Sequence, residues 1–177
     1  MMIDYFEFYG LPVSFSPDPA KVKQQFYALS KQYHPDFFIN ESEEKQAAVL
    51  EMSTVNNKAY QVLSDPLKRL HYILELKGKL TEGENYVLPQ SFLMDMMDVN
   101  EALMDLQSDP DPVKLAQLKT EISGIEKNLL DELAALTTAF DTVSPETQEE
   151  SLLEIKDLYY RNKYLYRLKE TLEKAMR

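Results

Sequence analysis

Cysteine and tryptophan are absent from this 177-residue sequence, histidine occurs twice and glycine four times. Without cysteine there is no disulfide, no thiolate nucleophile, no thiolate zinc site and no direct cysteine ligation of an iron-sulfur cluster. The same absence suits a reducing compartment. The only histidines are His34 and His71; metal ligation by His34 with Asp36 would need further ligands from elsewhere, and nothing nearby has ligand spacing. The sequence has no glycine-rich phosphate loop, no nucleophile elbow and no zinc-binding His-Glu helix motif. No catalytic residue, metal or cofactor is therefore expected. Long apolar runs are also missing: Leu133 to Leu136 lasts about one helical turn, against the roughly 20 residues of a membrane span. Positive charge is short, with 19 Lys plus Arg against 30 Asp plus Glu and a net charge of -11. A polyanion would be repelled, so neither nucleic acid nor membrane is an expected partner. The first residues, MMIDYFEFYG, show no export or organelle signal. They predict bacterial cytoplasm, although a processed mitochondrial chain would look the same.

What is present reads as an all-α protein. No alternating strand pattern of useful length occurs, and proline follows Asp or Ser at Asp18-Pro19, Asp65-Pro66, Asp111-Pro112 and Ser144-Pro145. Each pair places an N-cap oxygen beside a proline whose missing N–H costs nothing at the first helical position, predicting four helix starts. A shorter helix is predicted from Asp4 to Gly10. Val22, Phe26, Leu29 and Tyr33 form one helical stripe; Ala48, Met52, Val55, Ala59 and Val62 form a second. Two stripes joined by a short loop predict an antiparallel hairpin, with the loop at His34-Pro35-Asp36 because a pre-proline residue leaves the α region. Leu67, Leu70 and Leu74 extend this unit to Gly78.

Residues 79–88 lose the helical period and predict a linker or junction between a first domain, 1–78, and a second, 89–177. The first carries 8 basic and 10 acidic residues, net -2, and the remainder 11 and 20, net -9. The second domain reads as a three-helix bundle over roughly 90–107, 112–139 and 145–176, its middle helix striped by Leu115, Leu118, Ile122, Ile125, Leu129 and Leu136. Over 92–106, a projection at about 100° per residue puts Phe92, Met96, Val99, Leu103 and Leu106 on one side as core. Leu93, Met97 and Met104 fall away from that stripe, and Met94, Asp98, Glu101 and Asp105 lie opposite it. An apolar and acidic outer face results, which fits either contact with a neighbouring element or a surface for a partner, for which polarizable Met is suited.

His34-Pro35-Asp36 joins the two hairpin helices, is preceded by Lys31-Gln32-Tyr33, and is followed by Asn57, Ala59-Tyr60, Leu63-Ser64-Asp65-Pro66, Arg69 and Tyr72. This combination resembles the J domain, a family that stimulates the ATPase of DnaK-type chaperones. The resemblance implies that His34, Pro35 and Asp36 touch the partner ATPase near its interdomain linker. It further implies that Lys21, Lys23 and Lys31 offer a basic face to it, although Gln24, Gln25 and Gln32 dilute that face and each lysine also fits an ordinary solvated helix surface. After Tyr72 comes no Gly/Phe-rich segment and no zinc module. The acidic second domain, with its Phe92-Leu93-Met94 helix start, instead resembles the branch of J proteins that serves iron-sulfur cluster assembly. That branch implies a specialised chaperone partner, HscA, and a client, the scaffold protein IscU, held by Leu93, Met94, Met97, Asp98, Glu101 and Asp105. Tyr164, in Lys163-Tyr164-Leu165, matches an aromatic of the same surface, although it also fits a packed core position. The alternatives are a J-domain adaptor for a different client and a small metal-dependent hydrolase.

Overall fold

The computed structural model describes residues 2–175, and among these it contains helices and turns but no strand. Four helices begin at the four cap-proline pairs. Asp18 accepts the Ala20 N–H at 2.9 Å, and Asp65 those of Leu67 and Lys68 at 3.0 Å each. Asp111 accepts from Val113 and Lys114 at 2.9 and 3.3 Å, and Ser144 from Thr147 at 3.3 Å. Such caps satisfy N–H groups that no helical carbonyl reaches, each worth about 1 kcal/mol.

The chain divides into two compact units, one running to Gly78 and the other starting at Lys79. In the first, α1 spans Tyr5–Phe8, α2 Pro19–Gln32, α3 Glu43–Leu63 and α4 Pro66–Leu76, with a 3₁₀ turn at Pro35–Phe38 between α2 and α3. Helix α1 is capped by Asp4 and closed by Gly10, whose φ of +65° only glycine adopts freely. Phe26 of α2 stacks on Tyr60 of α3 at 4.2 Å, and Ser30 hydrogen-bonds Asn56 at 3.0 Å. Four residues forward on one helix correspond to four back on the other, so the hairpin is antiparallel.

Phe6, Tyr9, Val22, Ala59, Leu63, Tyr72 and Ile73 fill the core between these helices. Burying a side chain of this size contributes about 1.5–3 kcal/mol. The buried line of α3 is Val49, Asn56, Ala59 and Leu63. This corrects the expected stripe: Ala48 is exposed, Met52, Val55 and Val62 are only half-buried, and on α4 Leu67 is exposed while Leu70 and Leu74 are buried. Arg69 closes the end of the unit, its Nε donating to the Phe15 carbonyl at 3.0 Å and Nη1 to that of Leu63 at 2.7 Å. Burial lowers the guanidinium's pKa from its ordinary value, partly opposed by Asp65.

The second unit contains α5, Gln90–Ser108, α6, Pro112–Ala139, and α7, Pro145–Ala175, with a short 3₁₀ turn at Phe140–Thr142. The five core positions expected on α5 are all buried. On α6 the fully buried residues are Leu118, Ile122, Leu129 and Leu133, whereas Leu115, Ile125 and Leu136 flank that line half-buried. Residues 79–88 carry no helix, yet they are fastened along α7. Lys79 pairs with Glu149, Glu84 takes Lys156 at 3.0 Å and the Tyr160 hydroxyl at 2.9 Å, and the Tyr86 hydroxyl donates to Asp157 at 2.7 Å. Tyr86 and Tyr160 stack with centroids 4.4 Å apart.

Candidate partner-binding surfaces

His34 adopts φ -73° and ψ 125°, the extended conformation that a following proline imposes. Helix α2 therefore stops at Gln32, and the tripeptide opens a single 3₁₀ turn instead of an irregular loop. Within it the His34 Nδ1 accepts the Asp36 N–H at 3.3 Å, while Asp36 Oδ2 stands 3.7 Å from the same nitrogen. The backbone contact is the shorter of the two. Phe37 meets the imidazole edge-on at 5.8 Å. The side chains of His34 and Asp36 are 51% and 83% exposed, so the carboxylate is open to an external cation.

Lys21, Lys23 and Lys31 are exposed on α2, and none has an ion pair among the described residues. At about 100° per residue, Lys23 and Lys31 flank Tyr27 on the side opposite the buried Val22, with Lys21 further round. The Lys23 ammonium lies 5.9 Å from the Tyr27 ring, and Tyr27 is itself exposed. Between the 3₁₀ turn and α3 runs a shallow groove of about 340 Å³, lined by Pro35, Asp36, Phe38, Ile39, Val49 and Leu50 among others. Ile39 and Leu50 are largely exposed there. Sequence reasoning missed this groove; its signal was the apolar run Phe37-Phe38-Ile39 directly after the tripeptide, together with Leu50 lying off the buried line of α3.

On the second unit, α5 exposes Leu93, Met94, Met97, Asp98, Glu101, Met104 and Asp105 along one side, with Met96 and the rest of its core line buried opposite. The three acids have no ion pair among the described residues. Tyr164 is half-buried on α7: its hydroxyl accepts from Asn100 Nδ2 at 2.8 Å, and its ring meets Phe92 edge-on at 5.6 Å. Asn100 lies about 20° from Leu93 around α5, which brings Tyr164 to the border of the exposed strip. Asn100 was absent from the sequence reading because a polar residue beside an apolar stripe gives no periodic signal. Among the described residues no helix is long and apolar enough to cross a membrane, and no group of three or more His, Asp or Glu could hold a metal ion.

Comparison with known proteins separates the same two regions. The DnaJ domain family matches residues 4–72, and the HSCB C-terminal oligomerisation domain family matches residues 88–173. A co-chaperone protein HscB homolog of Vibrio cholerae serotype O1 is 35% identical over 133 residues, 74% of this chain and 78% of the relative. That of Vibrio atlanticus is 30% identical over 173 residues, 97% and 95% of the two chains. Among solved structures, the chaperone HscB from Vibrio cholerae aligns over 98% of both chains at TM-score 0.70 and 28% identity. Human co-chaperone HscB aligns over 97% of this chain and 81% of its own at TM-score 0.74 and 25% identity. A J unit with an exposed His-Pro-Asp turn, joined to a helical unit matched by HscB relatives over nearly its whole length, makes this chain a member of the HscB family of J-domain co-chaperones.

Proposed function

We propose that this protein is a non-enzymatic co-chaperone of iron-sulfur cluster assembly that binds the scaffold IscU and stimulates the ATPase of HscA. The observation that carries this reading is the presentation, on two separate units, of an exposed His34-Pro35-Asp36 turn and an apolar strip on α5 whose acids have no ion pair among the described residues. In the proposed mechanism Leu93, Met94 and Met97 supply apolar contact to the scaffold, and Asp98, Glu101 and Asp105 set register and steer it, with Tyr164 at the border. On the chaperone side, Asp36 accepts a charge-assisted pair from an arginine of the ATPase. Pro35 keeps the turn in one conformation, so little ordering entropy is lost on docking, and Lys21, Lys23 and Lys31 orient the encounter. The turn favours the hydrolysing, client-holding state of HscA because it binds that state better. Bacterial relatives and the lack of cysteine support a place in the bacterial cytoplasm.

Steady-state ATPase of purified HscA, with and without IscU, tests both surfaces. Wild-type protein should stimulate turnover, with the larger effect when IscU is present. His34→Gln should lose nearly all of it while still binding IscU. Stimulation indifferent to IscU would leave a J protein for another client, and none from the wild type would sink the proposal.

A further inference from the structure

Four of the chain's eight methionines fall between residues 94 and 104. Met94, Met97 and Met104 are 61%, 57% and 65% exposed, whereas Met96 is 2% exposed and faces the core. At about 100° per residue, Met97 and Met104 stand about 20° apart on α5 and Met94 about 60° from Met97, so the three thioethers share one strip. Thiols are ordinarily the first side chains to take an oxidant, and this chain has none. Solvent-open thioethers are thus its most easily oxidised groups.

We propose that Met94, Met97 and Met104 are a reversible oxidation site, through which peroxide switches off the client-binding strip. A sulfur lone pair attacks one oxygen of a hydroperoxide, the O–O bond breaks and an S–O bond forms. The thioether is oxidised by two electrons to the sulfoxide, and the peroxide is reduced to water or an alcohol, its leaving oxygen taking a proton. An apolar side chain becomes a polar, chiral acceptor, in a strip whose other half is already acidic. Burying that acceptor against the apolar surface of a client leaves it without a donor, which weakens binding. The buried Met96 is spared, so the core of the bundle is kept, and methionine sulfoxide reductases return the sulfur to its reduced form.

Because this rests on reading the strip as the scaffold's binding surface, the test measures modification and binding separately. The protein is exposed to hydrogen peroxide, mapped by peptide mass spectrometry and titrated calorimetrically with IscU. The expected result is one added oxygen on each of Met94, Met97 and Met104, none on Met96, unchanged helicity, and a dissociation constant raised about tenfold for each sulfoxide that the client buries. Reduction by sulfoxide reductases should restore binding. The triple variant Met94→Leu, Met97→Leu, Met104→Leu is compared only with its own untreated affinity, and peroxide should no longer change that affinity even as the 87% exposed Met2 is oxidised. Undiminished binding by protein bearing three sulfoxides would overturn the inference, as would Met96 oxidising as fast as its neighbours or the triple variant losing affinity like wild type. Failure of the untreated protein to bind IscU would instead overturn the client reading, and this inference with it.

Discussion

Asn56 is 1% exposed, yet no polar atom of its side chain goes unpaired. Its Oδ1 accepts from the Tyr9 hydroxyl at 2.8 Å, and its Nδ2 donates to the Phe26 carbonyl at 3.1 Å and to Ser30 Oγ at 3.0 Å. One amide thus ties α3 to α2 and to the residue that ends α1. Burial raises the Tyr9 pKa well above the ordinary phenol value, with Tyr60 adding to it, so the hydroxyl remains a donor. Asn56→Leu fills similar volume but removes the donor to Ser30 and the nearer of two acceptors for the Tyr9 hydroxyl, leaving it the residue-56 carbonyl at 3.2 Å, and should cost about 1–3 kcal/mol in urea denaturation. Tyr9→Phe, which removes one hydroxyl, should cost about 1 kcal/mol. A loss below about 0.5 kcal/mol for Asn56→Leu would mean that the amide only fills space. Periodicity of apolar residues could not find Asn56, because the amide stands where an apolar residue is expected. The expected stripe of α3 shares Ala59 with the observed line, but at Ala48, Val55 and Val62 it stands one residue before the buried Val49, Asn56 and Leu63. His34, Pro35 and Asp36 were legible for the opposite reason: proline dictates its predecessor's backbone, and the turn is local.

At the scale of elements, helix starts were legible because an acceptor one residue before a proline settles them within four residues of chain. What a helix-free segment packs against is not local, and residues 79–88 illustrate the difference. Seen as sequence they lack a period, yet Lys79, Glu84 and Tyr86 meet partners from Glu149 to Tyr160, about 70 residues away in the chain. No local pattern announces such pairing. Glu84 is the centre of this fastening: the hydrogen bond from Lys156 chiefly lowers its carboxyl pKa, helped by Tyr160, against a smaller upward push from desolvation. Burial and Asp157 push the Tyr86 phenol up to about 12. A carboxylate with a depressed folded-state pKa stabilises the fold above its unfolded pKa of about 4.5 and loses that contribution as pH falls through the folded value. Protection of the 79–88 amides from hydrogen exchange should therefore hold from neutral pH down to about 5 and decline below it, once corrected for the intrinsic rate. Glu84→Gln should lower protection at neutral pH and flatten the decline. A wild-type profile indifferent to acid would show that the tyrosine stack alone holds the segment.

Charge is distributed over the whole molecule in a way that the sequence already displayed, near balance through Gly78 and net -9 from Lys79 onward. The fold adds which charges are left open. Lys156, Arg161 and Lys169 are neutralised by Glu84, Asp157 and Glu126 within their own unit, whereas Asp98, Glu101 and Asp105 have no such partner among the described residues. Internal pairing therefore consumes cations of the acidic unit and leaves the α5 strip with a field that acts outward. Exposed charges of this kind act mainly on encounter, over a Debye length of about 10 Å at 0.1 M salt, while the apolar contacts that hold a complex together are screened little. Raising salt from about 0.05 to about 0.5 M should then slow association with IscU by about tenfold and change dissociation by less than about twofold. Neutralising the strip with Asp98→Asn, Glu101→Gln and Asp105→Asn should reproduce the slow association at low salt and remove most of its salt dependence. Stopped-flow fluorescence separates the two rate constants. A salt effect carried by dissociation, or one that persists in the neutralised variant, would place the electrostatics elsewhere on the molecule and leave Leu93, Met94 and Met97 as the strip's only contribution to recognition.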